Sequence, residues 1–197
     1  SPTPKYAVEG ETLVGPEGVA KLELKLPGRA NRGNAAQAIA AAVEAFGVPL
    51  DTAVHAAAEV DNVAGRYTTV HLGERDVHLL LAKNPAGWQE ALSMVDREAD
   101  GLVIATNGHV ADGIDMSWLW DVRFEDFEGI AVKASGERAA DLAVRLVYAD
   151  ISHELIDDPL AAIQSCPEGR VEVLANYTAF RDLKKALTAA VKEHEND

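Results

Sequence analysis

The sequence is short of several things, and each shortage excludes a class of protein. Its 197 residues include one cysteine, Cys166. That excludes an intramolecular disulfide and any zinc site built from two or four thiols of this chain. Cys166 stands in QSCPEG, a turn in an acidic setting that raises a thiol pKa and argues against a nucleophile. No apolar run approaches the roughly 18–20 residues that span a bilayer. Residues 1–10 are polar and contain prolines, unlike a signal peptide. Neither a GxxxxGK[ST] phosphate loop nor a GxGxxG after a strand is present. The six histidines show no HExxH or other metal spacing. Basic residues are scarce, 18 against 32 acidic, for a net charge of −14. Such a surface repels phosphate backbones and anionic lipids, so nucleic acid and membrane are not expected partners. An anionic ligand such as a nucleotide needs a local cluster of donors or a metal ion.

What is there describes a folded globular chain, 48% hydrophobic and 25% charged. The length fits one large domain, or one domain and part of another. The opening SPTPKY lacks an initiator Met and reads as a linker or a cut end. Thr12–Val14 and Ala20–Leu26 alternate around Gly-Pro-Glu-Gly, a β-hairpin signature in which Leu22, Leu24 and Leu26 share a face. Asn31 or Asn34 then caps a helix that Gly47 closes, with Ile39, Val43 and Phe46 on its apolar face. A short helix over 50–58 follows. From about residue 64 strands and helices alternate. TTVHL, VHLLLA, GLVIAT, IAVKAS and VEVLAN read as strands, VHLLLA as a central one. Residues 86–97, 138–148, 158–165 and 179–194 read as helices. This alternation predicts an α/β domain with a mostly parallel sheet. The expected boundary lies between residues 1–63 and 64–197.

Ligands of open α/β sheets sit beyond the carboxyl ends of strands. Three polar clusters follow strands here. Lys83-Asn84-Pro85 follows VHLLLA, where a lysine can meet a phosphate or simply face solvent. The run 107–121 follows GLVIAT and holds Asp112, Asp115 and Asp121 around SWLW, with His109 beside them. Its carboxylates can orient a histidine, act as a base or hold magnesium; equally, Asp115 can cap a turn carrying Trp118. The loop is long and polar for one that follows a buried strand. Asn176-Tyr177-Thr178 follows VEVLA, with Thr178 placed to cap the next helix.

Together these strings resemble a family. LPGRANRGNAAQAIAAAVEAFGV is similar to the end of the central ATPase domain of Mur ligases. VAGRYTTV, LLLAKNPAGWQEAL, NGHVADGIDMSWLWDVRFE, SGERAADLAVRLVYA and VLANYTAF follow in the order of the Mur-ligase-like (MurT-type) subunit of lipid II isoglutaminyl synthase. The likeness runs from about Leu26 to about Arg181, and AKNPAG and ADGxDxSWxWDxxFE carry its specificity. A peptide-adding Mur ligase shows a DYAH-like string where AKNPAG stands. Asn107-Gly108-His109 departs from the Asn-Asp-Asn-like string of the family.

The resemblance implies a Rossmann-like Mur ligase C-terminal domain over 64–197, preceded by the tail of the central ATP-binding domain over 1–63. It implies ATP and magnesium in the complete subunit, a four-cysteine zinc ribbon outside this chain, and a class I glutaminase (GatD-type) partner. The pair converts the α-carboxylate of D-glutamate in the lipid II stem peptide to an amide, with glutamine as ammonia source and an acyl phosphate intermediate. That work is expected in the cytoplasm on a membrane-bound lipid substrate. Without the phosphate loop this chain alone is not expected to hydrolyse ATP. By motif, Asn31 and Asn34 contact the adenine side of ATP, where an amide offers both donor and acceptor. Arg66, Lys83 and Asn84 match positions that face the nucleotide, and domain closure assembles that site. An Asp of the acidic loop completes the partner's Cys–His pair, with Asp115 first, Asp112 second and Asp121 third. Trp118 and Trp120 would support that interface. Two other readings stand beside this one: the C-terminal domain of a peptide-adding Mur ligase, and a non-catalytic docking module for a glutaminase.

Overall fold

The computed structural model describes residues 4–26, 28–60, 67–127 and 130–194. The chain divides into two compact units, residues 1–63 and 64–197. Arg66 lies outside the described residues.

In the first unit, β1 (Ala7–Glu9), β2 (Thr12–Gly15) and β3 (Gly18–Lys21) form an antiparallel sheet in that order. The expected hairpin is present, but its second strand ends at Lys21. The KLELKL alternation continues beyond the strand, with Leu22 and Leu26 still buried. β1 begins directly after SPTPKY, in residues where the sequence pattern shows no strand. Helix α1 (Arg29–Phe46) is capped by Gly28, whose side is bare of capping bonds, so Asn31 and Asn34 sit inside its first two turns rather than at the cap. Gly47 ends α1 in the left-handed conformation, φ 66°. Leu13, Leu22, Ala36, Ile39, Val43 and Ala53 form the core with α2 (Leu50–Ala58). Phe46 does not join it and is 81% exposed, because that core ends one turn earlier.

The second unit holds a six-stranded sheet. Its strands are β4 (Tyr67–Leu72), β5 (Arg75–Leu81), β6 (Gly101–Ala105), β7 (Val132–Ser135), β8 (His153–Leu155) and β9 (Gly169–Ala175). Their order is β4-β5-β9-β6-β7-β8, parallel except for the β4–β5 hairpin. β5 is interior but one strand from the edge, while the middle belongs to β9 and β6. All five residues of β6 are buried, as two covered faces require. β8 has no alternation and only three residues, too little pattern for sequence to register.

Helices cover both faces. Val77, Leu79, Val103, Val171, Val173 and Ala175 point to α5 (Pro159–Gln164) and α6 (Tyr177–His194), where Ile163, Phe180, Leu183 and Leu187 complete a core. Alternate residues face the other way. There α3 (Pro85–Met94) and α4 (Ala139–Tyr148) bury Trp88, Leu92, Leu142 and Leu146. Local chemistry sets these helix starts. Asn84 accepts from the Gly87 amide at 2.9 Å with Pro85 at the first turn of α3. Asp158 and Pro159 do the same for α5. No helix among the described residues is long and apolar enough to cross a membrane.

One glycine closes the top of this sheet. Gly136 follows β7 at φ 91°, and a Cβ there would stand 2.5 Å from the Thr106 carbonyl oxygen and 2.9 Å from Asn107 Oδ1. Both the conformation and the space demand glycine. Gly136→Ala is therefore expected to cost roughly 1–3 kcal/mol, the size of an imposed backbone strain, read as a lowered urea midpoint at unchanged m-value.

Candidate functional site

The carboxyl ends of β5, β6, β7 and β9 come together at one edge of the sheet, and all three polar clusters lie there. The edge is organised by amides. The Asn107 backbone N–H donates to Asn176 Oδ1 at 3.1 Å, and Asn176 Nδ2 donates back to the Asn107 carbonyl at 2.7 Å. Asn107 Oδ1 accepts in turn from the Glu137 N–H at 3.1 Å. Both asparagines are buried. Three loops are thus tied by side chains that imitate strand hydrogen bonds after the strands have ended.

The acidic loop leaves from Asn107. His109 Nε2 lies 3.1 Å from Glu137 Oε1, so it faces a carboxylate of the neighbouring loop. Asp112 turns inward. Its Oδ1 accepts from the Thr178 N–H at 2.9 Å and its Oδ2 from the Thr178 hydroxyl. It therefore caps α6 from outside the helix, a favourable place for an anion. Thr178, expected as the cap, is instead the group that Asp112 holds, and α6 starts two residues earlier than its pattern shows.

Asp115 turns outward. One oxygen accepts from the Ser117 N–H at 2.8 Å, which starts the 3-10 turn Ser117–Asp121, and the residue is exposed. The Ser117 amide, then its hydroxyl, holds the Asp115 carboxyl below the usual carboxylate range. So the capping role and an available anionic oxygen coexist. Asp115 lines a shallow depression of about 460 Å³ with Ile114, Ser117, Trp120, Arg138 and Val144. Asp121 is exposed at the end of the same turn.

The two tryptophans part company. Trp118 stacks on the fully buried Trp88, ring centroids 5.4 Å apart, and anchors the loop to α3. It is half-buried, and its anchor is that stack. Trp120 is 54% exposed and meets the Tyr148 ring at 5.1 Å. Sequence reading missed what holds this turn: Arg145 of α4, buried, donates to the Leu119 and Val122 carbonyls at 3.3 and 2.8 Å and pairs with Glu125 at 2.7 Å. The signal was an arginine inside the apolar stripe of Leu142 and Leu146.

Lys83 and Asn84 leave β5 at the same edge and both are exposed. Asn84 is committed to capping α3. The Lys83 ammonium sits 5.1 Å from the centre of the Tyr177 ring. Asn31 is half-buried and Asn34 exposed on α1 of the first unit. Cys166 is buried, and burial pushes its thiol up, which keeps it unreactive. Among the described residues no group of three or more His, Cys, Asp or Glu side chains is placed to hold a metal ion.

The whole arrangement is that of a Mur-ligase-type fold. A pseudomurein peptide ligase type C from Methanothermus fervidus superposes with a TM-score of 0.67 at 14% identity, over 96% of this chain and 42% of that one. UDP-N-acetylmuramate-alanine ligase MurC from Thermotoga maritima gives 0.61 at 17%, over 94% and 43%. Within that class the match narrows. Residues 81–180 match the family described as MurT ligase C-terminal, and the chain belongs to it. The lipid II isoglutaminyl synthase (glutamine-hydrolyzing) subunit MurT of Streptococcus pneumoniae is 32% identical over 138 residues, 64% of this chain and 31% of that protein. The chain thus spans about a third of the length of this curated relative.

Opposite orientations give the two aspartates opposite mutational signatures. Asp112→Ala is expected to lower unfolding free energy by about 1–2 kcal/mol, the value of a lost helix cap. Asp115→Asn, which keeps the acceptor for Ser117, is expected to stay within about 0.5 kcal/mol of the parent, as surface changes do. Chemical denaturation of both variants checks the pair.

Proposed function

We propose that this chain is the C-terminal part of the ligase-like subunit of a glutamine-dependent lipid II isoglutaminyl synthase. In this reading residues 1–63 end the central ATP-binding domain, and residues 64–197 form the C-terminal domain. The complete subunit phosphorylates the α-carboxylate of D-glutamate in the stem peptide with ATP and magnesium, and ammonia displaces the phosphate to give D-isoglutamine. A class I glutaminase partner of the GatD type releases the ammonia from glutamine. The membership in the MurT family and the activity for which its pneumococcal relative is named support this reading.

The observation that carries it is the Asp115 carboxylate. The described residues offer no reactive thiol of their own, since Cys166 is buried with a raised pKa. A glutaminase cysteine needs a histidine base, and that base gains from an anion that fixes its tautomer and stabilises the imidazolium. Asp115 has that chemistry: it is ionised, exposed, and held in place by Ser117. Asp112, with both oxygens spent on Thr178, does not. Asp115 therefore takes precedence over Asp112. Lys83 supplies a cation for a phosphoryl oxygen, while Asn31 and Asn34 serve the adenine. The described residues form no metal cage, so magnesium would be held by phosphate oxygens and by parts of the subunit beyond them.

The test is glutamine hydrolysis by the purified glutaminase, with and without this chain. Stimulation is expected. Asp115→Asn is expected to abolish at least nine-tenths of it while co-purification persists; loss of an orienting carboxylate in such a triad can cost up to about 10⁴-fold. Binding without stimulation would instead favour a docking module. Equal stimulation by parent and Asp115→Asn chains would remove the trans-acting Asp.

A further inference from the structure

Tyr177 has no part in the chemistry above, yet both of its neighbours are pinned. Asn176 is locked to the Asn107 backbone on one side. Thr178 is clamped by Asp112 on the other. The backbone that carries the ring is therefore held on both sides. Tyr177 lies at the carboxyl end of β9, beside β5 in the sheet, and is 39% exposed. The Lys83 ammonium rests over this ring at 5.1 Å.

Lys83 keeps company with a ring, as Arg97 does with Phe127, and that contact matters in so acidic a chain. Acidic residues outnumber basic ones 32 to 18. Lys133, Arg138, Arg145, Arg170 and Arg181 of the same unit all pair with carboxylates. Among the described residues no carboxylate lies within ion-pair distance of Lys83, whose recorded contact is an aromatic face. A ring attracts the cation through its quadrupole but accepts no strong hydrogen bond. The three N–H donors of the ammonium are left for an incoming anion. A carboxylate in the same place would hold the cation and compete with that anion.

We infer that Tyr177 is a positioning residue: its ring, carried on a pinned stretch of backbone, holds the Lys83 ammonium at the strand edge, with donors free, to receive a phosphoryl or acyl phosphate oxygen. This rests on the phosphate-facing role of Lys83 in the reading above and adds the group that prepares it. The aromatic face is the working part, and the phenolic hydroxyl is dispensable.

The experiment is a titration of the full 197-residue chain with pyrophosphate, followed through the Lys83 ε-methylene resonances in ¹H–¹³C spectra. Lys83→Met assigns them. In the parent chain the Lys83 protons are expected upfield of the other lysines, by ring current, and to shift on adding pyrophosphate. Tyr177→Leu is expected to remove the upfield displacement and to weaken pyrophosphate about two- to fivefold, the size of an exposed cation–π contact. Tyr177→Phe is expected to restore both. A parent Lys83 that ignores pyrophosphate would refute the phosphate-facing role itself. A Lys83 that binds pyrophosphate equally in the parent and Tyr177→Leu chains would overturn the role of Tyr177 and leave the first reading standing. Loss in Tyr177→Phe as well would assign the effect to the hydroxyl and also overturn the inference. Amide spectra of each variant separate these outcomes from misfolding.

Discussion

The reciprocal pairing of Asn107 and Asn176 is the constraint on which the functional edge depends. A parallel sheet runs out of backbone partners where its strands end, and loops that depart there splay apart. Here two buried amide groups continue the ladder for one more residue, across β6 and β9. Asn107 extends the tie to the loop after β7 through the Glu137 amide, and Gly136 supplies the close approach that makes this possible. Buried amides must satisfy both halves to be tolerated, so such a lock has few substitutes. The acidic loop, the start of α6 and the Glu137 turn all take their positions from it.

From that fixed edge the acidic loop divides its carboxylates by direction. Two residues separate Asp112 from Asp115, yet one serves the helix beneath and the other meets solvent. Cations are divided in the same manner. Arg145 is buried and consumed by carbonyls, while Lys83 is exposed and left on a ring. A strongly acidic chain can still present one receptive cation when the local packing keeps carboxylates away from it.

Much of this was legible in the residues, for physical reasons. β6 announced itself as an unbroken apolar run because two covered faces leave it no polar position, and β5 and β9 did so through the apolar residues that surround His78 and Glu172. The helices over 86–97 and 158–165 were read from their pattern, while the caps that start them, Asn84 and Asp158, each before a proline, came from the structure. The motif order alone carried the family. What stayed hidden depends on contacts remote in sequence. β8 has three residues and pairs only with β7. Phe46 has helical spacing but no core left to enter. Trp118 and Trp120 look alike in SWLW, and only the position of Trp88 separates anchor from surface. That the oxygens of Asp112 are taken up by Thr178, 66 residues away in the chain, was equally hidden.

The anchoring of Trp118 also sets how the acidic loop can move. To displace Asp115 by much, the loop must unstack Trp118 from a ring with no solvent exposure and release the Arg145 bonds to Leu119 and Val122. Those losses are on the scale of opening the α3–α4 layer. The loop thus belongs to the same cooperative unit as the core, although it has the length and polarity of a mobile lid. Its exposed carboxylate is a fixed point on a rigid body, and ordering it costs a docking protein almost no conformational entropy.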